Sequence, residues 1–306
     1  MGIFPAKKTK LGFALLDAKG GNATTAEDFD IYPLPEAESI TEDPGYTFLE
    51  WADGRKYLDS YVSGLQSVSG SLTLPMIPGY CADLFAWATT RDSDEQGKWA
   101  IINPEFVHTR RKFRDCKCST ARLSFRAAEL PMMRFDVSGR FGEAGVDLTA
   151  AHALEVVPYR IGEQKFEIKL GGSATFAQSC YVSSLDIEID NATESPEDGA
   201  TICETYYAYD IGNDYGPRVT GTLDRRFVDD DLYADFIAGQ EGALQITLTA
   251  AGIATATITM PRIVYTGQGL HAGGSGIMRE TGVPFTALGS GTHYTTAPIT
   301  LLEAAA

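Results

Sequence analysis

The chain has 306 residues, of which 44% are hydrophobic and 22% charged, a composition typical of a folded protein and not of a disordered one. Its net charge of −16 excludes binding to nucleic acid through a general positive field, because phosphate recognition requires clustered lysine and arginine. No stretch approaches the ~20 apolar residues of a membrane helix, and the N-terminus lacks the apolar core of a signal peptide, so we expect the product to stay in the cytoplasm where it is made.

The first half of the chain predicts a long loop, a strand and a helix. Residues from about 31 to 60 combine prolines, glycine and many acids, which indicates an extended acidic loop. Gly70–Leu74 alternates apolar and polar residues, the period of a half-buried strand. Segment 78–87 has an apolar stripe at helical spacing and predicts a short helix. The stripe consists of Tyr80, Leu84 and Trp87.

Further strands and a second helix follow. The remaining segments with a two-residue alternation are Cys118–Arg126, Cys180–Asp190, Gln245–Thr249 and Ala254–Met260. Segment 229–239 begins with acids that suit a helix N-terminus and ends with Gly239, which suits a left-handed cap. Two pairs of residues four apart are expected to face a core. These pairs are Leu232 with Phe236 and Tyr233 with Ile237.

The end of the chain predicts an arm. From residue 265 onward the sequence is rich in Gly, Thr and Ala, but two segments, Val283–Leu288 and Ile299–Leu302, are apolar enough to require a partner surface. An arm that docks on a neighbouring subunit would supply that surface. Phe285 and Leu288 are therefore candidate inter-subunit residues.

The sequence also suggests an internal duplication. Cys118–Ala127 aligns with Cys180–Ile189 at three apolar positions, and a Val-Ser/Thr-Gly motif occurs at 68–70, 137–139 and 219–221. The matching parts do not follow the same order in both halves. Duplication with rearrangement and chance similarity between strands therefore both stay open.

The two aligned strands carry opposite charges on their polar faces. Arg122 and Arg126 lie on the first, whereas Asp186, Glu188 and Asp190 lie on the second. Such faces either meet across a subunit boundary or are solvated separately. The basic cluster at 108–114 is expected to pair with carboxylates of a neighbour. Its candidate contact residues are Arg110, Arg111 and Arg114.

The residues predict no catalytic, cofactor-binding or metal site. The four histidines lack metal-ligand spacing, and phosphate loops, dinucleotide fingerprints and nucleophile elbows are missing. A hydrolase site stays possible only if the fold brings two carboxylates close together, as in a glycosidase. The cysteines are odd in number and are expected to be buried, reduced thiols. They are Cys81, Cys116, Cys118, Cys180 and Cys203.

Five segments resemble the tail tube proteins of long-tailed, siphovirus-like bacteriophages. The resemblance spans roughly residues 10–300, and the most characteristic segment is Ile258–Gly267, a last strand that reaches Pro-Arg before the C-terminal arm. The other segments are Tyr61–Pro75, Phe113–Cys116, Val219–Leu223 and Asp231–Gly239.

The resemblance implies a mainly β fold of tandem β-sandwich or half-barrel domains, each flanked by a short α-helix. The first domain would cover 1–155 with the loop at 31–60, the second 156–270, and the C-terminal arm 271–306. In this family the sheets of neighbouring domains join into a barrel around a channel. The chain resembles two-domain members, in which three chains make a ring of six similar domains.

The implied function is that of a structural virion protein, made in the host cytoplasm, with no enzyme activity and no cofactor. The chain would form a homotrimeric ring, stacked into a tube through which DNA passes without specific binding, with Asp186, Glu188 and Asp190 facing the lumen. The implied partners are the tape measure protein inside the tube and the tail terminator and distal tail proteins at its ends, with no membrane contact.

Two alternatives differ from a tube subunit. A capsid decoration or head–tail adaptor protein would have the same composition but no stacked rings. A sugar-binding β-sandwich would use an exposed tryptophan, for which Trp51, Trp87 and Trp99 are the candidates.

Overall fold

A computed structural model shows a mainly β protein with two short helices in the described part of the chain. It describes residues 10–32, 37–49, 60–91, 96–106, 109–148, 158–159, 164–170, 175–178, 181–194, 211–213, 216–227, 229, 231–250, 254–267, 270–271, 279–289 and 297–305. The elements of the first half are β1 (Lys10–Leu16), β2 (Asp30–Tyr32), β3 (Ala37–Glu38), β4 (Thr41–Asp43), β5 (Tyr46–Leu49), β6 (Ser60–Ser63), β7 (Ser67–Pro75), α1 (Cys81–Thr89), β8 (Trp99–Phe106), β9 (Thr109–Arg126) and β10 (Met132–Ala144). The elements of the second half are β11 (Gln164–Lys169), β12 (Ala177–Gln178), β13 (Val182–Asp190), β14 (Arg218–Arg226), α2 (Asp231–Ala238), β15 (Gly242–Ala250), β16 (Ala254–Tyr265), β17 (Leu270–His271), β18 (Arg279–Ala287) and β19 (Thr300–Ala305).

The two halves have the same topology. In the first, the sheet runs β1-β8-β9-β10-β7, and β7 also pairs with β3 and β4. In the second, it runs β11-β15-β16-β18-β14-β13. Equivalent strands also follow each other in the same order along the chain, and a helix follows β7 and β14 alike. The expectation that the order of parts differs between the halves is therefore wrong.

One antiparallel sheet continues across both halves. Strand β13 pairs with β14 on one edge and with residues 120–126 of β9 on the other, so the halves are joined by backbone hydrogen bonds. We call the resulting run of strands the central sheet. In order, it consists of β3 with β4, β7, β10, β9, β13, β14, β18 and β16, with β17 pairing to β18 beyond the end of β16.

One face of the central sheet is dry. A single row of cross-strand neighbours on this face is buried in all six strands from β7 to β18. The row consists of Leu72, Phe135, Ala121, Ile189, Val219 and Ala287. The core lies against this face: the Trp87 ring of α1 lies 5.4 Å from that of Phe13 in β1 and 5.7 Å from that of Phe135 in β10.

The predicted strands are confirmed, and the helices in part. The described residues of all five alternating segments lie within strands, except Tyr181, which lies in a turn directly before β13. The stripe of α1 is buried. Gly239 ends α2 with a φ of 61°, as predicted. The expectation that Tyr233 and Ile237 face a core is wrong, because they are 39% and 66% exposed. A two-turn helix resting on a sheet buries one stripe only, and here that stripe holds Leu232 and Asp235.

The apolar segments near the C-terminus meet a partner surface within their own chain. Residues 283–287 lie within β18, which pairs with β14 and β16, and Leu288 follows it directly. The second segment leads into β19, which pairs with β16. Phe285 is 1% exposed, and Leu288 donates its backbone N–H to the carbonyl oxygen of Arg262. The division of the chain into two domains and an arm stays a prediction, as does any contact of Phe285 and Leu288 with another subunit.

Parts of the predicted acidic loop are strands, since β2 to β5 lie within residues 30–49.

Three of the five cysteines, Cys81, Cys116 and Cys118, are buried free thiols whose pKa values are raised by burial. Cys180 and Cys203 lie outside the described residues. Trp87 and Trp99 are buried, and Trp51 lies outside the described residues. In the described part of the chain, no helix is long and apolar enough to span a membrane.

Candidate functional site

The other face of the central sheet is polar and crosses both halves. Residues directly opposite each other on neighbouring strands point to the same face, so two rows of such pairs define this surface. We call it the polar face. Its first row is Thr73, Arg134, Arg122, Glu188, Thr220 and Thr286. Its second row is Ser71, Asp136, Thr120, Asp190 and Arg218.

The polar face is concave. It forms a groove of about 790 Å³ that reaches from β7 of the first half to β18 of the second. Arg122 and Glu188 lie at its centre, where the halves meet, and Arg134 and Arg218 lie on either side. The hollow side of the sheet is therefore the charged side.

Basic and acidic side chains are paired across this junction. The Arg122 guanidinium lies 2.9 Å from the Glu188 carboxylate, and that of Arg126 lies 3.6 Å from Asp186. Ser124 also donates a hydrogen bond to the Asp186 carboxylate. These arginines and carboxylates are about half exposed, so each pair contributes little to stability but cancels local charge.

The predicted lumen residues thus share one surface. Asp186, Glu188 and Asp190 occupy alternate positions of β13 on the polar face. The two oppositely charged strand faces meet inside one chain. The sequence had left two other arrangements open, a meeting across a subunit boundary and separate solvation of the two faces. A lumen position for the acids and an inter-subunit role for Arg122 and Arg126 stay predictions.

The basic cluster lies at the other end of β9, where its arginines contact carboxylates of their own chain. Arg110 lies 2.8 Å from Asp147 and 3.0 Å from Glu105. Arg111 lies 2.5 Å from Glu42, and Arg114 lies 3.6 Å from Glu143 and donates to the carbonyl oxygens of Gly20 and Gly21. Contacts of these arginines with another subunit stay predictions.

Sequence reasoning missed an exposed aromatic pair. Strands β5 and β6 form a separate hairpin, on which Tyr46 is 50% and Tyr61 is 59% exposed. Their ring centroids lie 4.8 Å apart in an edge-to-face arrangement. Tyr46 belongs to the segment that was predicted as loop and Tyr61 directly follows it, and the only signal for the pair was aromatic residues in and beside an otherwise acidic stretch.

The described residues contain no group of three or more His, Cys, Asp or Glu side chains placed to hold a metal ion. A carboxyl pair lies near the N-terminus of α1, where burial and a hydrogen bond to Asp83 raise the pKa of Asp30 to about 6. The shared proton of such a pair affects stability as a function of pH.

A protein-family model described as phage tail tube protein matches residues 9–298. No curated protein matches the chain.

Proposed function

Because this chain belongs to the phage tail tube protein family, we propose that three copies close head-to-tail into a ring whose six similar halves surround a channel for DNA. Membership of the family makes the chain a structural component of the virion that assembles into a tube with other tail proteins. The trimeric ring, the stacking of rings and the passage of DNA are the proposed part.

The observation that carries this proposal is the continuity of the central sheet. Two halves with the same strand order are joined edge to edge by β9 and β13 into one continuous sheet. Repeating the same join from chain to chain would extend the sheet until it closes, which removes every exposed strand edge from the wall.

The number of chains sets the width of such a wall. The central sheet has eight strand positions, so three chains would contribute twenty-four. With strands about 4.8 Å apart and tilted by about 40°, the barrel would be roughly 45–50 Å wide between opposite backbones. Six chains would double this width.

The polar face would line the channel, because it is the concave side of the sheet. Asp186, Glu188 and Asp190 would then face the lumen, as the resemblance implied. Since Arg122 and Arg126 are held beside carboxylates, the wall would offer phosphate little net attraction, and DNA would pass without being retained.

Contacts along the tube require a different surface. The hairpin of Tyr46 and Tyr61 is suited to the next ring, because its aromatic pair is exposed and lies outside the central sheet. The tape measure protein would occupy the channel during assembly in the host cytoplasm, and tail terminator and distal tail proteins would cover the two ends.

Measurement of mass together with negative-stain microscopy tests the proposal. We expect rings or tubes with a central hole, built in multiples of three 33.0 kDa chains. Annuli of twice the calculated width would replace the trimer with a hexamer but keep the tube. A protein that stays monomeric at every concentration, without annuli, would overturn the proposal.

A further inference from the structure

We propose that the junction between the two halves of one chain recurs between chains, so that the edge strand 37–43 of one copy pairs with the backbone after Tyr265 of the next. In this register Asp43 lies opposite Thr266. The inference rests on the proposed ring and specifies which strand edges close it.

The junction within the chain defines the geometry. Asn191 donates its N–H to the carbonyl oxygen of Ser119, and Ala127 donates to that of Ser183, both at 2.9 Å. Hydrogen-bonded and non-hydrogen-bonded pairs alternate along antiparallel strands, so Thr120 and Asp190 form a non-hydrogen-bonded pair.

Along the first free edge, strand 37–43, the peptide groups that point outward occupy the positions equivalent to those of β13. Val68-Ser69-Gly70 of β7 corresponds to Val219-Thr220-Gly221 of β14. Opposite these motifs, Ile40 corresponds to Ile187 and Asp43 to Asp190. Ser39 donates its N–H to Ser71 of β7 at 2.9 Å, so the peptide groups of Ile40 and Glu42 point away from β7, as that of Ile187 points away from β14. Ile40 and Ile187 are both buried.

Along the second free edge, residues 266–267, the peptide groups that point outward occupy the positions equivalent to those of β9. Gly139 lies opposite Val68 and Ala287 opposite Val219, so β10 corresponds to β18 and Asp136 corresponds to Pro284. Thr120 is the partner of Asp136, and Thr266 donates its N–H to Pro284 at 2.9 Å. Thr266 therefore corresponds to Thr120, and the peptide group of Gly267 points outward.

These two edges repeat the two strand edges that meet at the junction within the chain. Among the described residues, neither the outer edge of 37–43 nor that of 266–267 pairs with another strand. Each chain has one edge of each kind, so the contact is head-to-tail, the type that generates rings. The partner is consequently a second copy of this chain.

Disulfide trapping tests the register. Non-hydrogen-bonded neighbours have Cα atoms about 4.5 Å apart, within the range that a disulfide bridges. We expect the D43C/T266C double variant to oxidise into covalent trimers on a denaturing gel, while each single variant stays monomeric. The matched control is T120C/D190C, which has the same geometry within one chain and should lose two thiols without any change in chain number.

The outcomes separate this inference from the proposed function. Rings seen by microscopy without cross-linking of D43C/T266C would overturn the register but keep the tube. Monomers without rings would overturn the tube itself. If the double variant does not assemble, hydrogen exchange of the unaltered protein decides: amides of Ile40, Glu42 and Gly267 should gain protection on assembly, and unchanged exchange would refute the junction.

Discussion

Removing the carboxylates of the polar face should turn the channel into a DNA-binding surface. In the double variant D186N/E188Q, Arg122 and Arg126 lose the carboxylates at 2.9 Å and 3.6 Å and become available to phosphate. Because both ion pairs are about half exposed, we expect the free energy of unfolding to fall by no more than about 1 kcal/mol. The change in binding would therefore not arise from loss of the fold.

The magnitude follows from the number of arginines released. Two per chain give six per trimeric ring, and each contact with phosphate adds about −0.9 to the slope of log affinity against log salt. The variant should thus show a slope near −5 per ring. Its affinity for DNA should fall on the order of 10³-fold between 50 and 200 mM salt.

Fluorescence anisotropy with short linear duplex DNA measures this slope. Closed circular DNA distinguishes the channel from the outer wall, because a closed circle cannot be threaded. The matched control is E167Q, which removes the carboxylate 2.7 Å from Lys165 on β11, outside the central sheet. Equal binding of linear and circular DNA by D186N/E188Q, or equal binding by E167Q, would refute the assignment of the polar face to the lumen.

Three further predictions concern stability and stacking. Asp115→Ala leaves the buried Arg140 without the carboxylate 2.7 Å away and should lower the free energy of unfolding by about 3–5 kcal/mol in urea titrations. The control Asp136→Ala removes a partly exposed carboxylate that pairs with the exposed Arg134 and should cost under about 1 kcal/mol; equal losses would contradict the prediction. The Asp30 carboxyl has a pKa raised to about 6, so the folded state binds its proton more tightly, and stability falls as pH rises from about 4 to about 6. Asp30→Asn should therefore raise the free energy of unfolding by about 1 kcal/mol at pH 7.5, after allowance for solvent exposure, and leave it unchanged at pH 4; a gain at both pH values would point to another cause. The double variant Y46S/Y61S should leave rings intact but prevent tubes in negative stain, whereas Y181S, which alters an exposed tyrosine directly before β13, should not.

Local alternation was enough to find four strands of the central sheet, β7, β9, β13 and β16, but it did not identify β10, β14 or β18. Leu185, Ile187 and Ile189 of β13 are buried, and the acids between them lie on the polar face, as a two-residue period requires. The short strands β2 to β5 were not predicted, because strands of two to four residues are too short for a period to show. The exposure of Ile237 also depended on tertiary packing, which spacing along a helix does not contain.

The duplication was only partly visible for a physical reason. The alignment of Cys118–Ala127 with Cys180–Ile189 matched two strands that are neighbours in the sheet and not equivalents. Every half-buried strand has the same alternation, so this pattern does not identify equivalent positions. The motifs at Gly70 and Gly221 did identify them, because both glycines admit close neighbours: a Cβ would lie 2.5 Å from the Ser39 carbonyl oxygen in one and 2.3 Å from the Phe285 ring in the other.

Because two halves are fused in each chain, the pattern of charges in the channel would have threefold and not sixfold symmetry. Three of the six junctions would form within chains, at a high effective concentration, so that only three depend on encounters between subunits. At the junction within the chain, Asp186 and Glu188 face arginines. The corresponding positions of the free edge are Ser39 and Thr41, which carry no charge. At these two positions, junctions with arginine–carboxylate pairs would therefore alternate around the ring with junctions that lack them. Because the substitutions affect one junction in each chain, D186N/E188Q should release six arginines per trimeric ring, with a salt slope near −5, whereas a ring of six chains would release twelve.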